Sequence, residues 1–351
     1  MNHSRLKVGL ICGGTSGEHQ VSLISAYHIQ KALDRSRFDV QMIGINQKGS
    51  WFLGESEGFL EHHDDVRKVS FSSSHPVNIP ERRPLESTEK KSNSLDEIDV
   101  FFPITHGRFG EDGALQGLLE MAGKPYVGSN VYGSAICMDK DVCKRLLVLQ
   151  GIPVVPYRVF RSGDHVRHEE LIQELGPTFF VKPSREGSSL GVSKARTANE
   201  FEEALKIAFG IDRKILVEKA TQGREIECSV LGNDKPVAAE VLGEIVPKHE
   251  FYSYEAKYVD DEGAKLVIPA QIEEDTARRI RETAVDAFRC TECRGMARVD
   301  FFLEDDGSFF INEINTLPGF TSISMYPKLW EASGLPYSKL LERLIELALE
   351  T

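Results

Sequence analysis

The chain has 351 residues, enough for two or three domains of about 100–150 residues each. Its 54 acidic and 42 basic residues give a net charge of −12, which argues against general affinity for nucleic acid or an anionic membrane, because both favour a basic surface. No apolar stretch reaches the roughly 18 residues of a membrane-spanning helix, and the first apolar run, 8–12, is too short for the core of a signal peptide. We therefore expect a soluble, cytoplasmic protein without a membrane partner.

The N-terminal part alternates between strand and helix patterns. Residues 7–33 predict a strand, a glycine turn and a helix, and the segments 38–46 and 98–107 predict two further strands. Strands that alternate with helices favour a parallel α/β sheet. Between them, the polar residues 54–95 are interpreted as a surface excursion or a mobile loop.

The rest of the chain also mixes helices and strands. A helical pattern at 134–151 ends at Gly151, with Pro153 beyond it. The segment 179–195 predicts a strand, a glycine–serine loop and a second strand. Other predicted elements are a helix at 113–123, strands at 215–220 and 224–232, an amphipathic helix at 275–290, a hairpin and a C-terminal helix. We predict three domains, with boundaries near 132 and 217.

Six cysteines are scattered along the sequence, and only Cys290 and Cys293 have the spacing of a metal-ligand pair. A zinc site would need a second Cys or His pair at a suitable interval, which the sequence does not provide. Ordinary reduced thiols are therefore favoured over a structural metal.

The hairpin carries the strongest chemical signal. Asp306-Gly307 is typical of a two-residue turn, and this turn would place Asp300 opposite Glu313 and Arg298 opposite Asn315. Because side chains alternate between the two faces of a strand, all four would project from the same face.

Opposed carboxylates about 5 Å apart repel each other, and a bound hard cation removes that conflict. Asp, Glu and Asn offer the oxygen ligands that magnesium prefers, usually with substrate phosphates completing the shell. Phe302 and Ile311 are expected on the same face, so it is not simply solvated. The alternative is a polar face neutralised by Arg298 alone.

A second signal concerns phosphate. The loop 185–191, REGSSLG, offers hydroxyls and backbone N–H groups that can wrap a triphosphate, although it does not match the P-loop pattern. Lys182 precedes this loop and Lys140 begins a helix, and lysine is a point charge for phosphate oxygens. A plain connection and solvated lysines are the alternatives, and the acidic hairpin downstream favours the functional interpretation.

Two further residues are candidates for substrate contacts. Glu18 lies in the first helical turn after a glycine pair, where an acid also stabilises the helix dipole. His106 lies in THGRFGEDG, which either borders a ligand or forms only a tight turn.

Seven motifs in this order resemble the ATP-grasp enzymes and, within them, the D-alanine–D-alanine ligase family. They are GGTSGEHQVSL, HGRFGEDG, MDK, VKPSREGSSLG, EFYSYEAKY, ARVDFF and NEINTLPGFTSIS, and the resemblance extends from residue 7 to about 345. It implies a three-domain α/β ATP-grasp architecture, with ATP held between the last two domains. These would be a Rossmann-like substrate-binding domain at 1–132, a central ATP-grasp subdomain at 133–217, and a C-terminal subdomain at 218–351 with the metal hairpin and a substrate loop.

The resemblance also assigns residues to the nucleotide. Lys140 and Lys182 would contact ATP phosphates, and Ser188 and Ser189 would belong to the loop that closes over them. Glu225 would take the ribose hydroxyls. The strand end that would hold adenine through its backbone contains Glu218, Lys219 and Thr221.

The implied metal ligands are Asp300, Glu313 and Asn315, in agreement with the hairpin argument. They would hold two magnesium ions, for which manganese can substitute. Around the substrates, the resemblance implies Glu18 for the ammonium of the first substrate, and Arg298 and Gly319 for the oxyanion. Lys257 and Ser324 would lie near the carboxylate of the second substrate. His106 would also contact substrate, and Ser188 and Tyr258 would be catalytic.

The implied reaction is ATP-dependent ligation of two D-alanine molecules through D-alanyl phosphate, in a homodimer that supplies the terminal dipeptide of peptidoglycan precursors. The segment EAKY at 255–258 is typical of the members that make the dipeptide. The alternatives are a family variant that makes D-alanyl-D-lactate or D-alanyl-D-serine, and a nucleotide-binding regulator without turnover. A dehydrogenase is excluded, because GGTSGE lacks the GxGxxG spacing.

Overall fold

The computed structural model describes residues 5–55, 57–71, 75–77, 94–247 and 264–350. The helices are α1 His19–Ala32, α2 Ala114–Met121, α3 Val131–Met138, α4 Lys140–Leu149, α5 His168–Leu175, α6 Ala198–Ile211, α7 Glu274–Cys290, α8 Met325–Ala332 and α9 Tyr337–Leu349, with a 3-10 helix at Ser94–Glu97. The first strands are β1 Leu6–Gly13, β2 Phe38–Ile45, β3 Trp51–Glu55, β4 Leu60–Glu61, β5 Ser70–Phe71, β6 Pro76–Val77, β7 Val100–Pro103 and β8 Tyr157–Arg161. The later strands are β9 Phe179–Pro183, β10 Ser193–Ala195, β11 Lys214–Lys219, β12 Arg224–Gly232, β13 Val237–Ala238, β14 Gly243–Pro247, β15 Ala264–Val267, β16 Gly295–Leu303 and β17 Phe309–Asn315.

The N-terminal sheet has the strand order β6-β3-β2-β1-β7. Strand β1 pairs in parallel with β2 and β7, as the strand–helix alternation predicts, and β3 and β6 extend the sheet in antiparallel fashion. This sheet places the glycine turn after β1 beside the loop after β7, because carboxyl ends of parallel strands meet at one edge. Those two loops carry Glu18 and His106.

The other two large sheets are antiparallel. In the sheet β10-β9-β11-β8, strand β11 runs antiparallel between β8 and β9, which therefore point in the same direction without touching. The C-terminal sheet has the order β15-β14-β12-β16-β17, with β13 beside β12. Residues of its long strands β12, β16 and β17 line the cavity of the candidate site.

The polar stretch 54–95 is only partly an excursion. Strands β4 and β5 pair with each other within it, and Phe59, Leu60 and Val69 are buried in the N-terminal core. The interpretation as a mobile loop is therefore wrong for this part, because its few apolar residues are the ones that pack. Residues 78–93 lie outside the described part of the chain.

The pattern at 134–151 contains two helices rather than one. Asp139 separates them: its backbone is extended, and its side chain accepts a hydrogen bond from the N–H of Val142, which caps α4. Lys140 is therefore the first residue of α4, and its own N–H donates to the carbonyl of Ser184 next to β9. The break fixes this lysine beside the glycine–serine loop. Helix α8, which the sequence patterns did not predict, follows the NEINTLPGF segment.

One core cluster joins the two ends of the chain. Phe102 of β7 contacts Phe320 edge-to-face at 6.1 Å, and Tyr326 at the start of α8 is fully buried beside them. This packing holds the N-terminal sheet against the segment after β17. Within the described ranges, no helix is both long enough and apolar enough to cross a membrane.

Candidate active site

The hairpin of β16 and β17 has the predicted register at its functional end. Arg298 is paired with Asn315, and Asp300 is paired with Glu313. All four side chains border the same cavity, which has a volume of about 410 Å³. The predicted common face is therefore confirmed for these residues.

The turn of this hairpin differs from the prediction. The N–H of Glu304 donates to the carbonyl of Ser308, so the loop contains the three residues 305–307 instead of two. A bulge between Asp300 and the turn compensates for the extra loop residue, because it adds one residue to β17. The longer loop and the extra residue in β17 offset each other, so Asp300 and Arg298 have the partners that the sequence predicts.

The bulge also changes which residues share the cavity face. Ile311 is paired with Phe301, and both are buried on the opposite face, so the expectation that Ile311 shares the face of Asp300 is wrong. Instead Asn312 and Glu313, which are neighbours in sequence, both border the cavity. The bulge thus adds an amide oxygen to the cavity beside Glu313.

Two cations are close to the opposed carboxylates. The guanidinium of Arg298 forms two hydrogen bonds to Asp300, at 2.7 and 2.6 Å, and lies 3.1 Å from Glu227. Burial lowers the pKa of Arg298, but Asp300 and Glu227 outweigh it and raise the pKa well above its usual value. Lys140 Nζ lies 3.5 Å from Glu313 Oε2. The alternative interpretation, in which Arg298 alone neutralises this face, is therefore wrong, because Lys140 lies there as well.

The oxygen atoms here fit a magnesium ion held partly by a ligand. Asp300 and Glu313 offer carboxylates, and Asn315 Oδ1, which accepts a hydrogen bond from the N–H of Leu317 at 3.2 Å, keeps a second lone pair. Among the described residues, no group of three or more His, Cys, Asp or Glu side chains is arranged to hold a metal by itself. Mg²⁺ is usually bound by one or two carboxylates together with substrate phosphates.

Most of the predicted site residues come together in this cavity. Those that line it are Glu18, His106, Lys140, Ser188, Glu225, Arg298, Asp300, Glu313, Asn315, Gly319 and Ser324. Five predicted site residues are not among its described lining residues: Lys182, Ser189, Glu218, Lys219 and Thr221. Of these, Lys182 lies 3.4 Å from Asn312, which lines the cavity. Lys257 and Tyr258 lie outside the described residues, so their predicted roles stay predictions.

A buried charge cluster lies behind the cavity. Glu218 is held between Lys182, at 2.6 Å, and Lys144, at 3.2 Å. Burial opposes its ionisation, but the two lysines outweigh this effect and lower the pKa of Glu218. Burial also lowers the pKa of Lys182, whose Nζ lies 3.4 Å from Asn312 Oδ1. Lys182 thus connects this cluster to the cavity.

The glycine–serine loop reaches across to the N-terminal domain. Ser188 Oγ donates a hydrogen bond to Glu18 Oε1, although 170 residues separate them. Ser188 and Ser189 have φ values of 48° and 59°, in the left-handed region that residues other than glycine rarely adopt. Lys140 Nζ donates to the carbonyl of Glu186 at 2.7 Å and so holds the start of the loop. These contacts close the cavity on the side opposite the hairpin.

Two titratable groups of the HGRFGEDG motif face the same space. His106 is buried, its Nδ1 is 3.1 Å from the carbonyl of Leu317, and burial lowers its pKa. Burial and the nearby carboxylate of Glu18 raise the pKa of Glu111 to about 8, although the N–H of Gly107 donates to it. A neutral imidazole and an uncharged carboxyl therefore stand beside Glu18 near neutral pH.

Gly319 lies where the chain turns after β17. A Cβ atom there would lie 2.7 Å from Ser324 Oγ, so the serine side chain would have to shift to admit another residue. Ser324 Oγ in turn accepts a hydrogen bond from the N–H of Thr321. The backbone of Gly319 is consequently exposed to the cavity opposite Arg298, where a backbone donor and a guanidinium can act on the same oxygen.

Sequence reasoning missed four residues of the site: Glu111, Lys144, Glu227 and Asn312. Helical spacing could have identified Lys144, because it lies one turn after Lys140. Strand alternation could likewise have identified Glu227 two residues after Glu225. Asn312 depends on the bulge, for which the sequence offers no signal.

Comparisons with known proteins agree with this geometry. The family model for the D-ala D-ala ligase N-terminus matches residues 7–129, and the model for the D-ala D-ala ligase C-terminus matches residues 146–346. A D-alanine–D-alanine ligase of Shouchella clausii is 50% identical over 99% of this chain and 95% of its own length. The VanG D-Ala:D-Ser ligase of Enterococcus faecalis superposes with a TM-score of 0.82 at 34% identity, covering 98% of this chain and 100% of that one. A D-alanine–D-alanine ligase of Bacillus anthracis, solved in complex with ATP, superposes with a TM-score of 0.72 at 27% identity, covering 98% and 97% of the two chains.

Proposed function

The chain belongs to the D-alanine–D-alanine ligase family, and we propose that it uses ATP to join two molecules of D-alanine into D-alanyl-D-alanine, releasing ADP and phosphate. The observation that carries the proposal is the paired register of Asp300 with Glu313 beside Arg298, facing Lys140 across one cavity. These groups suit a metal–triphosphate and a developing oxyanion at the same place. The dipeptide would supply peptidoglycan precursors.

In the first step, the carboxylate of one D-alanine attacks the γ-phosphate of ATP to give an acyl phosphate. Lys140 is positioned to bind phosphate oxygens, because its ammonium is fixed between Glu186 and Glu313 at the rim of the cavity. Glu18, held by Ser188, would bind the ammonium group of this D-alanine. A divalent cation held by Asp300, Glu313 and Asn315 would neutralise phosphate charge, so that catalysis is mainly positioning and electrostatics.

In the second step, the amine of the other D-alanine attacks the acyl carbon and phosphate leaves. Arg298 and the backbone N–H of Gly319 border the space where the tetrahedral oxyanion would form. Because Asp300 and Glu227 fix the guanidinium, it needs little reorganisation when that charge develops. The contact between Ser188 and Glu18 keeps the cavity covered, which would protect the acyl phosphate from water.

A D-serine-using ligase is the second candidate, favoured by the similarity to the VanG enzyme. The higher identity to a D-alanine–D-alanine ligase supports D-alanine as the second substrate. The residues expected to make this choice, Lys257 and Tyr258, lie outside the described residues. A regulator without turnover is not favoured, because Arg298 and the complete set of metal-binding side chains border one cavity.

The test is direct identification of the product. The protein is incubated with ATP, Mg²⁺ and D-alanine, with D-serine and D-lactate in competition, and the products are identified by mass. We expect D-alanyl-D-alanine to dominate, with one phosphate released for each dipeptide. Equal formation of D-alanyl-D-serine or D-alanyl-D-lactate would overturn the substrate assignment, and an absence of phosphate release would overturn the activity.

Four parts of the account are predictions from the sequence and the family resemblance. They are two magnesium ions with manganese as a substitute, domain boundaries near residues 132 and 217, a homodimeric assembly and a cytoplasmic location. Each remains a prediction.

A further inference from the structure

Four cysteines lie together beside the active site without a part in the proposed reaction. Cys137 is the second-to-last residue of α3, Cys143 is in α4, Cys290 ends α7, and Cys293 follows it by three residues. The sulfur atoms of Cys137 and Cys293 are 3.5 Å apart, in van der Waals contact, although 156 residues separate them in the chain. Cys143 is also within hydrogen-bonding reach of Cys137.

The backbones that carry the contacting pair are unusually close. A Cβ atom added to Gly133 would lie 2.6 Å from the carbonyl oxygen of Glu292 and 3.1 Å from the Cα atom of Cys293. Gly133 and Cys137 are one helical turn apart on the same face of α3. Helix α3 therefore lies directly on the turn that carries Cys293, with no side chain between them at Gly133.

The two thiols differ in acidity and in access. A hydrogen bond from Cys137 and another from Thr291 lower the pKa of Cys293, although burial opposes this effect. Contacts with Cys143 and Cys293, together with burial, raise the pKa of Cys137. Cys137 lines the active-site cavity, so a small oxidant that enters the cavity reaches the pair. Cys293 is thus the better thiolate, whereas Cys137 borders the cavity, and both thiols are buried, at 5% and 6% exposed.

We propose that Cys137 and Cys293 are an oxidant-sensitive dithiol that closes to a disulfide and thereby inhibits the ligase. The oxidant is a peroxide. One thiol loses its proton, and the thiolate attacks a peroxide oxygen to give a sulfenic acid and hydroxide, which takes up that proton to form water. The other thiol then attacks the sulfenic sulfur, and a second water leaves as the S–S bond forms. The two sulfurs together lose two electrons and two protons, and hydrogen peroxide is reduced to two molecules of water.

The bond would strain the site on both sides of the cavity. The sulfurs must approach from 3.5 Å to about 2.05 Å, and because α3 is already in contact with the turn at 291–293, the two side chains and the backbone beside them must rearrange. Cys137 lies three residues before Lys140, and Cys293 lies five residues before Arg298. The approach would therefore displace the lysine expected at the phosphates, the arginine expected at the oxyanion, or both. Small displacements of such groups cost large factors in rate.

The alternative is that these thiols only fill the core. Cys137, Cys143 and Cys293 belong to one buried apolar cluster, and cysteine is a common small apolar residue in such places. Simple packing predicts that oxidation, when forced, gives no defined pair and does not depend on any single cysteine. The two interpretations are separated by mapping the bond.

The experiment treats the full-length protein with a slight excess of hydrogen peroxide, then blocks the remaining thiols and maps non-reduced peptides by mass. We expect a cross-linked peptide that joins Cys137 to Cys293 and is lighter by two hydrogen atoms than the sum of its parts. ATP-dependent phosphate release should fall at least about tenfold and return after reduction with dithiothreitol. A bond between any other two cysteines, or inactivation that dithiothreitol does not reverse, would overturn the proposal.

Variants make the assignment specific. Cys293→Ser should keep its activity in peroxide under the same treatment, while Cys290→Ser should be inhibited like the wild type. Cys290 is the matched control, because it is a neighbouring, partly buried thiol whose Sγ donates to the carbonyl of Ala287. Full inhibition of Cys293→Ser would contradict the proposal. If Cys293→Ser does not fold, the wild-type peptide map decides alone, and that map does not depend on the proposed ligase activity.

Discussion

The hairpin β16–β17 and the buried cluster around Glu218 both hold carboxylates against basic side chains, but they do so in different surroundings. At the hairpin, Asp300 and Glu313 face a cavity, and the side chain of Glu313 keeps 32% of its surface exposed. In the cluster, Glu218, Lys144 and Lys182 are between 2% and 9% exposed. The hairpin keeps the Glu313 carboxylate at a cavity that a ligand can enter, whereas the cluster neutralises its charges internally.

This difference predicts different consequences of removing a charge. Loss of one member of a closed, buried ion pair leaves the other charge without compensation in a poorly solvated place. Loss of one of two opposed carboxylates at a cavity relieves repulsion, since solvent and Lys140 remain nearby. The cluster should therefore affect stability, and the hairpin should affect activity.

The largest stability effect is expected for Glu218→Gln. The change leaves the ammonium groups of Lys144 and Lys182 buried together, and breaking a buried ion pair typically costs about 3–5 kcal/mol of unfolding free energy. Urea unfolding followed by circular dichroism measures the loss. A change close to zero would show that solvent reaches the cluster and would remove the contrast with the hairpin.

The matched control for this substitution is Glu174→Gln. Glu174 pairs with Arg158 at 2.7 Å on β8, but both side chains are about half exposed. An exposed pair contributes less than about 1 kcal/mol, so this variant should unfold almost like the wild type. Equal losses in the two variants would mean that burial does not decide the effect.

The next effect is expected at the loop that closes the cavity. Ser188→Ala removes the hydroxyl that donates to Glu18, and a hydrogen bond to a charged group is worth roughly 1.5–3 kcal/mol. The KM for D-alanine should therefore rise by about ten- to a hundredfold, while thermal stability changes little. Ser162→Ala, at an exposed position after β8, should keep the wild-type KM. An unchanged KM in Ser188→Ala would remove Glu18 from the substrate site.

The last effect depends on pH and concerns the buried carboxyl of Glu111. Burial and Glu18 raise the pKa of Glu111 from 4.5 to about 8, so the folded protein favours its protonated form. The stability that this group contributes is complete below 4.5 and is lost as the pH rises through about 8. The melting temperature of the wild type should consequently fall relative to that of Glu111→Gln across this window.

The control for the pH series is Glu203→Gln. This residue lies at the surface of α6, where it pairs with Lys206. The difference from wild type should be small and nearly independent of pH. A pH-independent difference for Glu111→Gln as well would show that Glu111 ionises normally beside Glu18.

Local patterns were sufficient wherever neighbours in sequence are neighbours in space. The strand–turn–helix at the N-terminus, the antiparallel pairing of β16 with β17 and the opposition of Asp300 to Glu313 follow from alternation and turn residues. The break at Asp139 could also have been identified, because an aspartate three residues before Val142 is a common helix cap.

Contacts between residues that are far apart in the chain could not be predicted from the sequence patterns. Lys144 reaches Glu218 across 74 positions of the chain, and Ser188 reaches Glu18 across 170, so no local spacing links them. The bulge that brings Asn312 into the cavity follows from packing on the opposite face, where Ile311 and Phe301 are fully buried. Burial of these apolar side chains determines where the bulge lies, and the polar residues of the other face take the positions that result.

The central claim is that Asp300 and Glu313 hold a metal–nucleotide and do not serve to support the hairpin. It is tested by measuring phosphate release and the melting temperature of the nucleotide-free protein for Glu313→Gln, with Asp305→Asn in the exposed turn of the same hairpin as the control. We predict that Glu313→Gln loses activity by about a hundredfold or more while its melting temperature stays unchanged or rises, and that Asp305→Asn changes neither. Normal magnesium-dependent turnover of Glu313→Gln, together with a clearly lower melting temperature, would contradict the account.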